Sequence, residues 1–286
     1  MKQTVKWLAA ALIALGLNQA VWADDVSDFR ENLQAAAQGN AAAQHNLGVM
    51  YENGEGVRQD DAEAVRWYRQ AAAQGLVQAQ TNLGLMYANG RGVRQDDAEA
   101  VRWYRQAAAQ GVVQAQYNLG LMYAKGRGVR QDNAEAIKWY RQAAAQGLVQ
   151  AQYNLGDMYN QGRGVRQDYA EAFRWYRKAA EQGLVQAQTN LGNGYAQGQG
   201  VRQDYAQAVQ WYRKAAEQGY AGAQVNLGLM YEQGQGVRQD YAQAVQWYRK
   251  AAEQGYAGAQ VNLGLMYEQG QGVRQDYAQA VQWYRK

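Results

Sequence analysis

Cysteine and proline are absent from this sequence of 286 residues, and histidine and serine occur once each, as His45 and Ser27. Without cysteine the chain has no disulfide, no thiolate ligand for zinc or iron–sulfur clusters, and no thiol nucleophile. His45 has no second histidine or cysteine as a co-ligand, so we expect a solvent-exposed imidazole there. The scarcity of hydroxyl and imidazole groups disfavours acyl-transfer chemistry. We therefore predict no catalytic residues, no metal and no cofactor.

A large excess of one charge is also lacking. The 29 basic and 25 acidic residues give a net charge of +4. Without Lys2 and Lys6, 27 basic side chains face 25 acidic ones. This balance is unlike the basic footprint of a protein that binds DNA or RNA, so we predict no nucleic-acid partner.

The one long apolar run lies near the N-terminus. Lys2 and Lys6 precede or border the apolar stretch 7–17, and Val-Trp-Ala at 21–23 resembles a small-x-small cleavage site. This order predicts a cleavable secretory signal over residues 1–23, with an uncleaved membrane anchor as the alternative. The stretch falls short of the roughly 20 apolar residues that span a bilayer, and no cysteine follows it for lipid attachment. We predict an extracytoplasmic protein, periplasmic or secreted, without stable membrane insertion after cleavage.

A period of 36 residues organises the remaining chain. The tripeptide Asn-Leu-Gly recurs with asparagine at positions 46, 82, 118, 154, 190, 226 and 262. Trp-Tyr pairs recur with the same step, beginning at 67, 103, 139, 175, 211, 247 and 283, and segments 220–250 and 256–286 are identical. A fixed period of this length is typical of solenoid proteins, so residues 40–286 are predicted to form one domain of seven repeats.

Each repeat predicts two helices. Helix A has apolar residues at helical spacing and ends near Gly54; in the first repeat these residues are Ala43, Leu47, Met50 and Tyr51. Helix B runs from Asp60 to just before Gly75, because Asp60 and Glu63 have the spacing of a capping box and glycine suits a left-handed C-cap. Its apolar residues are Ala62, Ala64, Val65, Trp67, Tyr68, Ala71 and Ala72. The glycine-rich segment 54–59 reads as a turn; a phosphate cradle is the weaker alternative, since no strand precedes it.

The repeat unit, A-x-x-N-L-G-x-M-Y-x-x-G-x-G-V-x-x-D-x-A-x-A-x-x-W-Y-x-x-A-A-x-Q-G over 43–75, resembles the Sel-like repeat (SLR) family, which is related to the tetratricopeptide repeats. The resemblance implies an all-α protein, an α/α superhelix or solenoid of seven helix-turn-helix repeats, that serves as a scaffold for protein–protein interaction. It also implies, for exported bacterial members, contact or signalling with host cells. The chain departs from the family at Arg58 and its copies, where proline is common after the loop valine.

The two ends differ. Segment 35–39 reproduces the end of helix B, but Glu31 and Asn32 replace the Trp-Tyr pair, so residues 24–39 are predicted to form a polar capping helix. The sequence stops at Lys286, inside the last helix B. We expect this truncated repeat to lack a cap and to promote weak self-association.

Helix-A positions equivalent to 45, 49 and 52 lie opposite Ala43 and Leu47 on a helical wheel, so we expect them to point away from helix B. In related solenoids this face lines the concave surface. The repeats differ from one another here, and several residues are apolar, which favours a peptide-binding groove. Packing between adjacent A helices is the alternative. The predicted partner-binding residues are His45, Leu85, Tyr117, Leu121, Tyr153, Asp157, Asn193 and Leu229.

Three further expectations concern single positions. Asn193 and Gly194 replace an apolar residue and a methionine, which predicts a bend or soft spot in that helix. Arg58 and its copies should be neutralised by the nearby capping aspartates, with anion binding as the alternative. Arg69 and its copies, which follow the Trp-Tyr pairs, should stack on aromatic rings or pair with glutamates.

The sequence thus predicts an exported, non-enzymatic scaffold that binds a protein or peptide on host cells or in the periplasm. The alternative is a cell-wall peptide hydrolase that uses Asp157 or glutamate carboxylates. Penicillin-binding or β-lactamase-like activity, described for a cysteine-rich branch of the similar family, belongs to the same alternative. This chain has neither those cysteines nor a Ser-x-x-Lys motif.

Overall fold

The computed structural model describes residues 25–286, and this part of the chain contains helices and no strand. The predicted signal segment lies outside the described residues. The chain divides into two compact units, Met1–Trp139 and Tyr140–Lys286. The predicted all-α fold class is confirmed.

The first unit contains a helix over 25–37, α1, followed by pairs of A and B helices in which consecutive members pack against each other. These helices are α2 (Ala41–Asn53), α3 (Asp61–Ala73), α4 (Val77–Asn89), α5 (Asp97–Ala109) and α6 (Val113–Lys125). Helix α7 (Asn133–Ala145) begins in this unit and ends in the next.

The second unit continues the alternation, and its consecutive helices again pack pairwise. They are α8 (Val149–Gln161), α9 (Tyr169–Glu181), α10 (Val185–Gln197), α11 (Tyr205–Glu217), α12 (Ala221–Gln233), α13 (Tyr241–Glu253), α14 (Ala257–Gln269) and α15 (Tyr277–Tyr284). Even-numbered helices are A helices and odd-numbered ones from α3 onward are B helices.

Half of the predicted capping box forms at the start of helix B. The Asp60 carboxylate accepts from the backbone N–H groups of Ala62 and Glu63, at 2.9 and 3.1 Å. The reciprocal bond is absent here, because the Asp60 N–H donates to the Tyr51 carbonyl and Glu63 instead pairs with Arg66. The N-cap is therefore the aspartate alone, a contact worth about 1 kcal/mol.

The second loop glycine is required by a close approach between repeats. Gly92 has φ +63°, and a Cβ there would lie 2.0 Å from the carbonyl oxygen of Asp61. Any side chain would thus collide with the start of the preceding helix B. Glycine at this position lets the loop after one helix A rest on its neighbour.

Within a helix pair, the glycine of the Asn-Leu-Gly motif on helix A lies against the tyrosine ring of helix B. A Cβ on Gly84, the glycine of Asn-Leu-Gly, would lie 2.6 Å from a ring carbon of Tyr104. The motif therefore carries glycine because the helix-B tyrosine packs on its backbone. All the apolar residues predicted for α3 are buried except Ala62, which is exposed.

Buried glutamines tie successive repeats together. Gln80 is 3 % exposed, and its Nε2 donates to the Ala72 carbonyl and to Gln106 Oε1, while its own Oε1 accepts from Gln110. The same buried position is occupied by Gln44, Gln80, Gln116, Gln152, Gln188, Gln224 and Gln260. Because buried amides need partners, this ladder fixes the register between one helix B and the next helix A.

Within residues 25–286, no helix combines the length and the apolar character that crossing a membrane requires.

Candidate functional site

The helix-A positions predicted to point away from helix B instead face its tyrosine. The His45 ring lies against Tyr68, with ring centroids 5.7 Å apart, and Glu52 accepts a 2.6 Å hydrogen bond from the Tyr68 hydroxyl. The expected orientation is wrong because the buried phenol needs a hydrogen-bond acceptor, and helix A supplies it.

His45 is half-buried rather than solvent-exposed. Its Nε2 lies 3.3 Å from Asn82 Nδ2 in the next helix A. Burial lowers the pKa of His45, against the hydrogen bond to Asn46 and the charge of Glu52, which raise it. Among the described residues, no three His, Cys, Asp or Glu side chains form a group that could hold a metal ion.

The residue that accepts a hydrogen bond from the helix-B tyrosine lies at one of two positions on helix A. Asp157 accepts from Tyr176 at 2.6 Å, and Asn193 accepts from Tyr212 at 2.7 Å. In other repeats the acceptor lies three residues further along helix A, at Glu52, Glu232 and Glu268. These acidic or amide residues on helix A therefore serve as acceptors for the buried tyrosine hydroxyls. Sequence reasoning treated the Trp-Tyr pair only as apolar core and missed this hydrogen bond.

The eight predicted partner-binding residues are all at least partly accessible. Leu85 is exposed at 37 %. The half-buried ones are His45, Tyr117, Leu121, Tyr153, Asp157, Asn193 and Leu229. Five of the eight line one of the two cavities described next.

The first unit has a cavity of about 170 Å³ beside two predicted residues, Leu85 and Leu121. Its other lining residues are Ala88, Asn89, Tyr104, Asn118, Met122, Lys125 and Arg127. Arg127 is held by two bonds to Asp97, at 3.0 and 2.6 Å. The cavity is thus lined by apolar side chains and by two cations, of which Arg127 is paired with Asp97 and Lys125 is exposed.

The second unit has a larger cavity, of about 330 Å³, which brings together Tyr153, Asp157 and Asn193. Sequence reasoning missed its other members, which are Asn160, Gln161, Tyr169, Ala172, Phe173, Tyr176, Asn190, Gly194, Gln197 and Gln199. Of the described residues that line the cavity, Asp157 alone carries a charge. Of these residues, Asn160 could have been found from the sequence, because it lies at the helix-A position equivalent to 52.

Burial dominates the electrostatics of Asp157. It raises the pKa of the carboxyl group, whereas the hydrogen bond from Tyr176 and the charge of Arg163 lower it. Burial and the neighbouring carboxylate likewise raise the pKa of Tyr176. The cavity therefore holds a half-buried acidic group hydrogen-bonded to a phenol that stays protonated.

The larger cavity lies where a glycine and a phenylalanine replace the usual core pair. Gly194 stands at the position of Met230, and Phe173 stands at that of Val209. The Phe173 ring packs edge-on against Tyr195, with centroids 5.1 Å apart. Helix α10 runs unbroken over Val185–Gln197, so the predicted soft spot does not interrupt the helix.

The two sets of arginines differ in their contacts. Arg69 donates to the Tyr87 hydroxyl at 2.8 Å and lies over its ring, as predicted, and Arg105, Arg141, Arg213 and Arg249 repeat the contact with the next helix A. The loop set is exposed and, in the described part of the chain, makes no ion pair within 4.0 Å. These are Arg58, Arg94, Arg130, Arg166, Arg202, Arg238 and Arg274. The capping aspartates do not neutralise these arginines through ion pairs, because their carboxylates accept from backbone N–H groups.

The antiparallel helix pairs and their repeated contacts define an α/α solenoid. The Sel1 repeat model matches seven consecutive segments: 41–76, 77–112, 113–148, 149–184, 185–220, 221–256 and 257–286. The chain therefore belongs to the Sel1 repeat family, and the resemblance seen in the sequence is confirmed. Repeats of this family typically mediate protein–protein interaction.

Two solved structures are similar to the chain. One is a protective antigen of uropathogenic Escherichia coli with an SLR fold, at 46 % identity and a TM-score of 0.85, over 90 % of this chain and 55 % of that one. The other is a Sel1 repeat protein from Oxalobacter formigenes, at 39 % identity and a TM-score of 0.74, over 89 % and 74 %. The chain thus spans about half the length of the antigen. A search of curated proteins gave no match.

Proposed function

We propose that the chain is an exported, non-enzymatic scaffold that holds a protein or peptide partner on the accessible, variable side chains of its A helices. One observation carries the proposal. In each unit a cavity is lined by the helix-A residues at which the repeats differ, Leu85 and Leu121 in one and Tyr153, Asp157 and Asn193 in the other. Apart from Phe173 and Gly194, the core positions beneath them are nearly constant, so most of the variation falls on the accessible surface.

The cavity of the first unit is the binding surface to test first, because its apolar side chains are accessible. Leu85 is 37 % exposed and Leu121 is half-buried, and the exposed Lys125 lines the same cavity. Such a surface suits an apolar anchor residue of a partner that carries acidic groups beside it.

The test is affinity capture with residues 24–286 against periplasmic and host-membrane extracts. The variant carries Leu85→Gln and Leu121→Gln, and the matched control carries Leu33→Gln, an equally exposed leucine on α1. We expect a partner that the wild type and the control retain and the double variant loses. Equal retention by all three would contradict binding at this surface.

Export is part of the same proposal. The charged, apolar and small-x-small segments within residues 1–23 support it, and so does the description of the similar E. coli protein as a protective antigen. We expect the processed protein to begin at Asp24 and to leave the cytoplasm. N-terminal sequencing of the protein from fractionated cells checks this, and recovery of the intact Met1 chain from the cytoplasm contradicts it.

We also propose that copies of the chain associate weakly with one another. In the last helix pair, accessible apolar residues cluster at Val261, Leu265, Tyr277 and Val281, with exposed fractions from 40 to 63 %. Exposed apolar patches of this kind favour contact between copies. We expect sedimentation to show a mass above the monomer at high concentration, and a Leu265→Gln, Val281→Gln variant to remain monomeric.

The hydrolase alternative makes a separate prediction about Asp157. If Asp157 were catalytic, Asp157→Asn would abolish turnover of cell-wall peptides while leaving binding intact. We expect neither the wild type nor the variant to release product from such peptides.

A further inference from the structure

We propose that the cavity of the second unit binds an arginine side chain of a peptide partner, with Asp157 as the ion-pair acceptor. The inference rests on the proposed function for the kind of ligand, since it makes that ligand a peptide, and it adds the chemistry of one binding pocket.

The Asp157 carboxylate can accept more hydrogen bonds than it receives. Asp157 Oδ1 accepts one hydrogen bond, from Tyr176, and no hydrogen bond to Oδ2 occurs in the described part of the chain. An ionised carboxylate offers about four acceptor sites. Asp157 is therefore half-buried, charged and available to a donor that enters the cavity.

Aromatic rings form part of the wall of this cavity. The rings of Tyr153 and Tyr176 lie 5.8 Å apart at an interplanar angle of 43°, and Phe173 lines the same cavity. A cation near such faces gains from the ring quadrupoles. A guanidinium group suits the arrangement better than an ammonium group, because it is planar, stacks on rings and matches a carboxylate with two parallel N–H groups.

Uncharged amide side chains also line the cavity. The amide side chains of Asn160 and Asn190 lie in the cavity wall and offer carbonyl acceptors for the remaining guanidinium N–H groups. The volume of about 330 Å³ falls within the range of roughly 300–1,000 Å³ for small-ligand pockets. One arginine side chain with part of its backbone fits such a volume.

One neighbouring cation opposes the ligand. Arg163 lowers the pKa of Asp157 through its charge but forms no ion pair with it within 4.0 Å. Arg163 is exposed, so its repulsion of an incoming guanidinium is screened by water and salt. At the equivalent positions the later repeats carry glutamine, at 199, 235 and 271.

The structure supplies a substitution that removes the charge and keeps the fold. Asn193 accepts from Tyr212 just as Asp157 accepts from Tyr176, so Asp157→Asn preserves the hydrogen bond to the phenol. Glu181→Gln is the matched control, because it makes the same charge change on the exposed surface of α9 outside the cavity.

The probe is Nα-acetyl-arginine amide, titrated into the 15N-labelled protein and followed through the side-chain amide signals of Asn160, Asn190 and Asn193. We expect saturable shifts of these signals. We also expect affinity to fall at least about tenfold in Asp157→Asn, to be unchanged in Glu181→Gln and to rise severalfold in Arg163→Gln. The uncharged isostere Nα-acetyl-citrulline amide should bind as weakly as arginine does to Asp157→Asn.

Three results would overturn the proposal: no shift with arginine, equal binding by wild type and Asp157→Asn, or equal binding of citrulline. Equal binding of Nα-acetyl-lysine amide would overturn the guanidinium assignment. Circular dichroism of each variant shows whether its helices are intact. Failure here leaves the capture experiment untouched, because that experiment alters Leu85 and Leu121 in the other unit.

Discussion

Phe173 fills the space that Gly194 leaves open: a Cβ on Gly194 would lie 2.9 Å from Phe173 Cδ2. In the next two repeats this pair is Val209 with Met230 and Val245 with Met266, and each pair is buried in one core cluster. A large residue on helix B and the smallest on the next helix A thus replace a medium-sized pair.

This relationship predicts that the two substitutions compensate each other. Gly194→Met alone should overpack the site and Phe173→Val alone should leave a void, each costing about 1–3 kcal/mol of unfolding free energy. The double variant restores the usual pair, so its loss should be smaller than the sum by about 0.5–3 kcal/mol. Urea denaturation of the four proteins measures this coupling, and additive losses would show that the residues are independent.

Asp157 makes stability depend on pH in an unusual direction. Because burial raises its pKa in the folded state, there is a pH range between the unfolded and the folded pKa in which the folded protein still holds a proton that the unfolded chain has released. Stability is therefore lost as pH rises from the unfolded pKa through the folded pKa. The charged and titratable groups facing Asp157 are Tyr153, Tyr176 and Arg163.

Asp157→Asn should accordingly raise the melting temperature at pH 7, and the gain should disappear near pH 3, where the aspartate is neutral in both states. Thermal melts across this range check the expectation, with Glu181→Gln as a surface control. A variant that is less stable than the wild type at pH 7 would refute the burial argument. A charge retained at a cost in stability is typical of a binding site.

The buried glutamine ladder predicts a large effect for a residue that no motif search would single out. Gln80→Leu removes the side-chain hydrogen bonds to the Ala72 carbonyl, to Gln106 and from Gln110, so unfolding free energy should fall by about 1–3 kcal/mol. Gln78→Leu, on the exposed face of the same helix, should change it by less than about 0.5 kcal/mol. Similar losses in both variants would mean that the ladder contributes nothing specific.

Two glycines with positive φ separate backbone strain from close approach. Gly75 has φ +89° with open space around a Cβ, whereas Gly92 has φ +63° and the Asp61 carbonyl in contact. Gly75→Ala should cost about 1–2 kcal/mol from the left-handed conformation alone. Gly92→Ala should cost clearly more. Equal losses of unfolding free energy in the two variants, measured by denaturation, would show that the positive φ accounts for the whole cost.

The fold was predictable because its signals are local and repeated. Asp60 caps helix B and Gly54 ends helix A through contacts within a few residues, and the 36-residue period sets the rest. The cavity was predictable only in part. Tyr153, Asp157 and Asn193 were identified from differences between repeats, but which way they face depends on the hydroxyl of a tyrosine on another helix.

The buried phenols explain the misplaced expectations. Hydrophobic periodicity treats Tyr68 and Tyr176 as apolar volume, yet each hydroxyl must find an acceptor. Glu52 and Asp157 therefore turn toward helix B, against the direction expected from a helical wheel. A search for one acidic or amide residue 16 or 19 positions before each tyrosine would have found both.

The ties between successive repeats also bear on how such a gene changes length. In the second unit Arg213 reaches Tyr231 as Arg249 reaches Tyr267, and Gln224 donates to the Ala216 carbonyl as Gln260 donates to the Ala252 carbonyl. The junctions between these last repeats thus use the same donors and the same acceptors. Unequal recombination between the identical segments 220–250 and 256–286 would add or delete a whole repeat and leave each new junction fully bonded, so selection on folding would not oppose it.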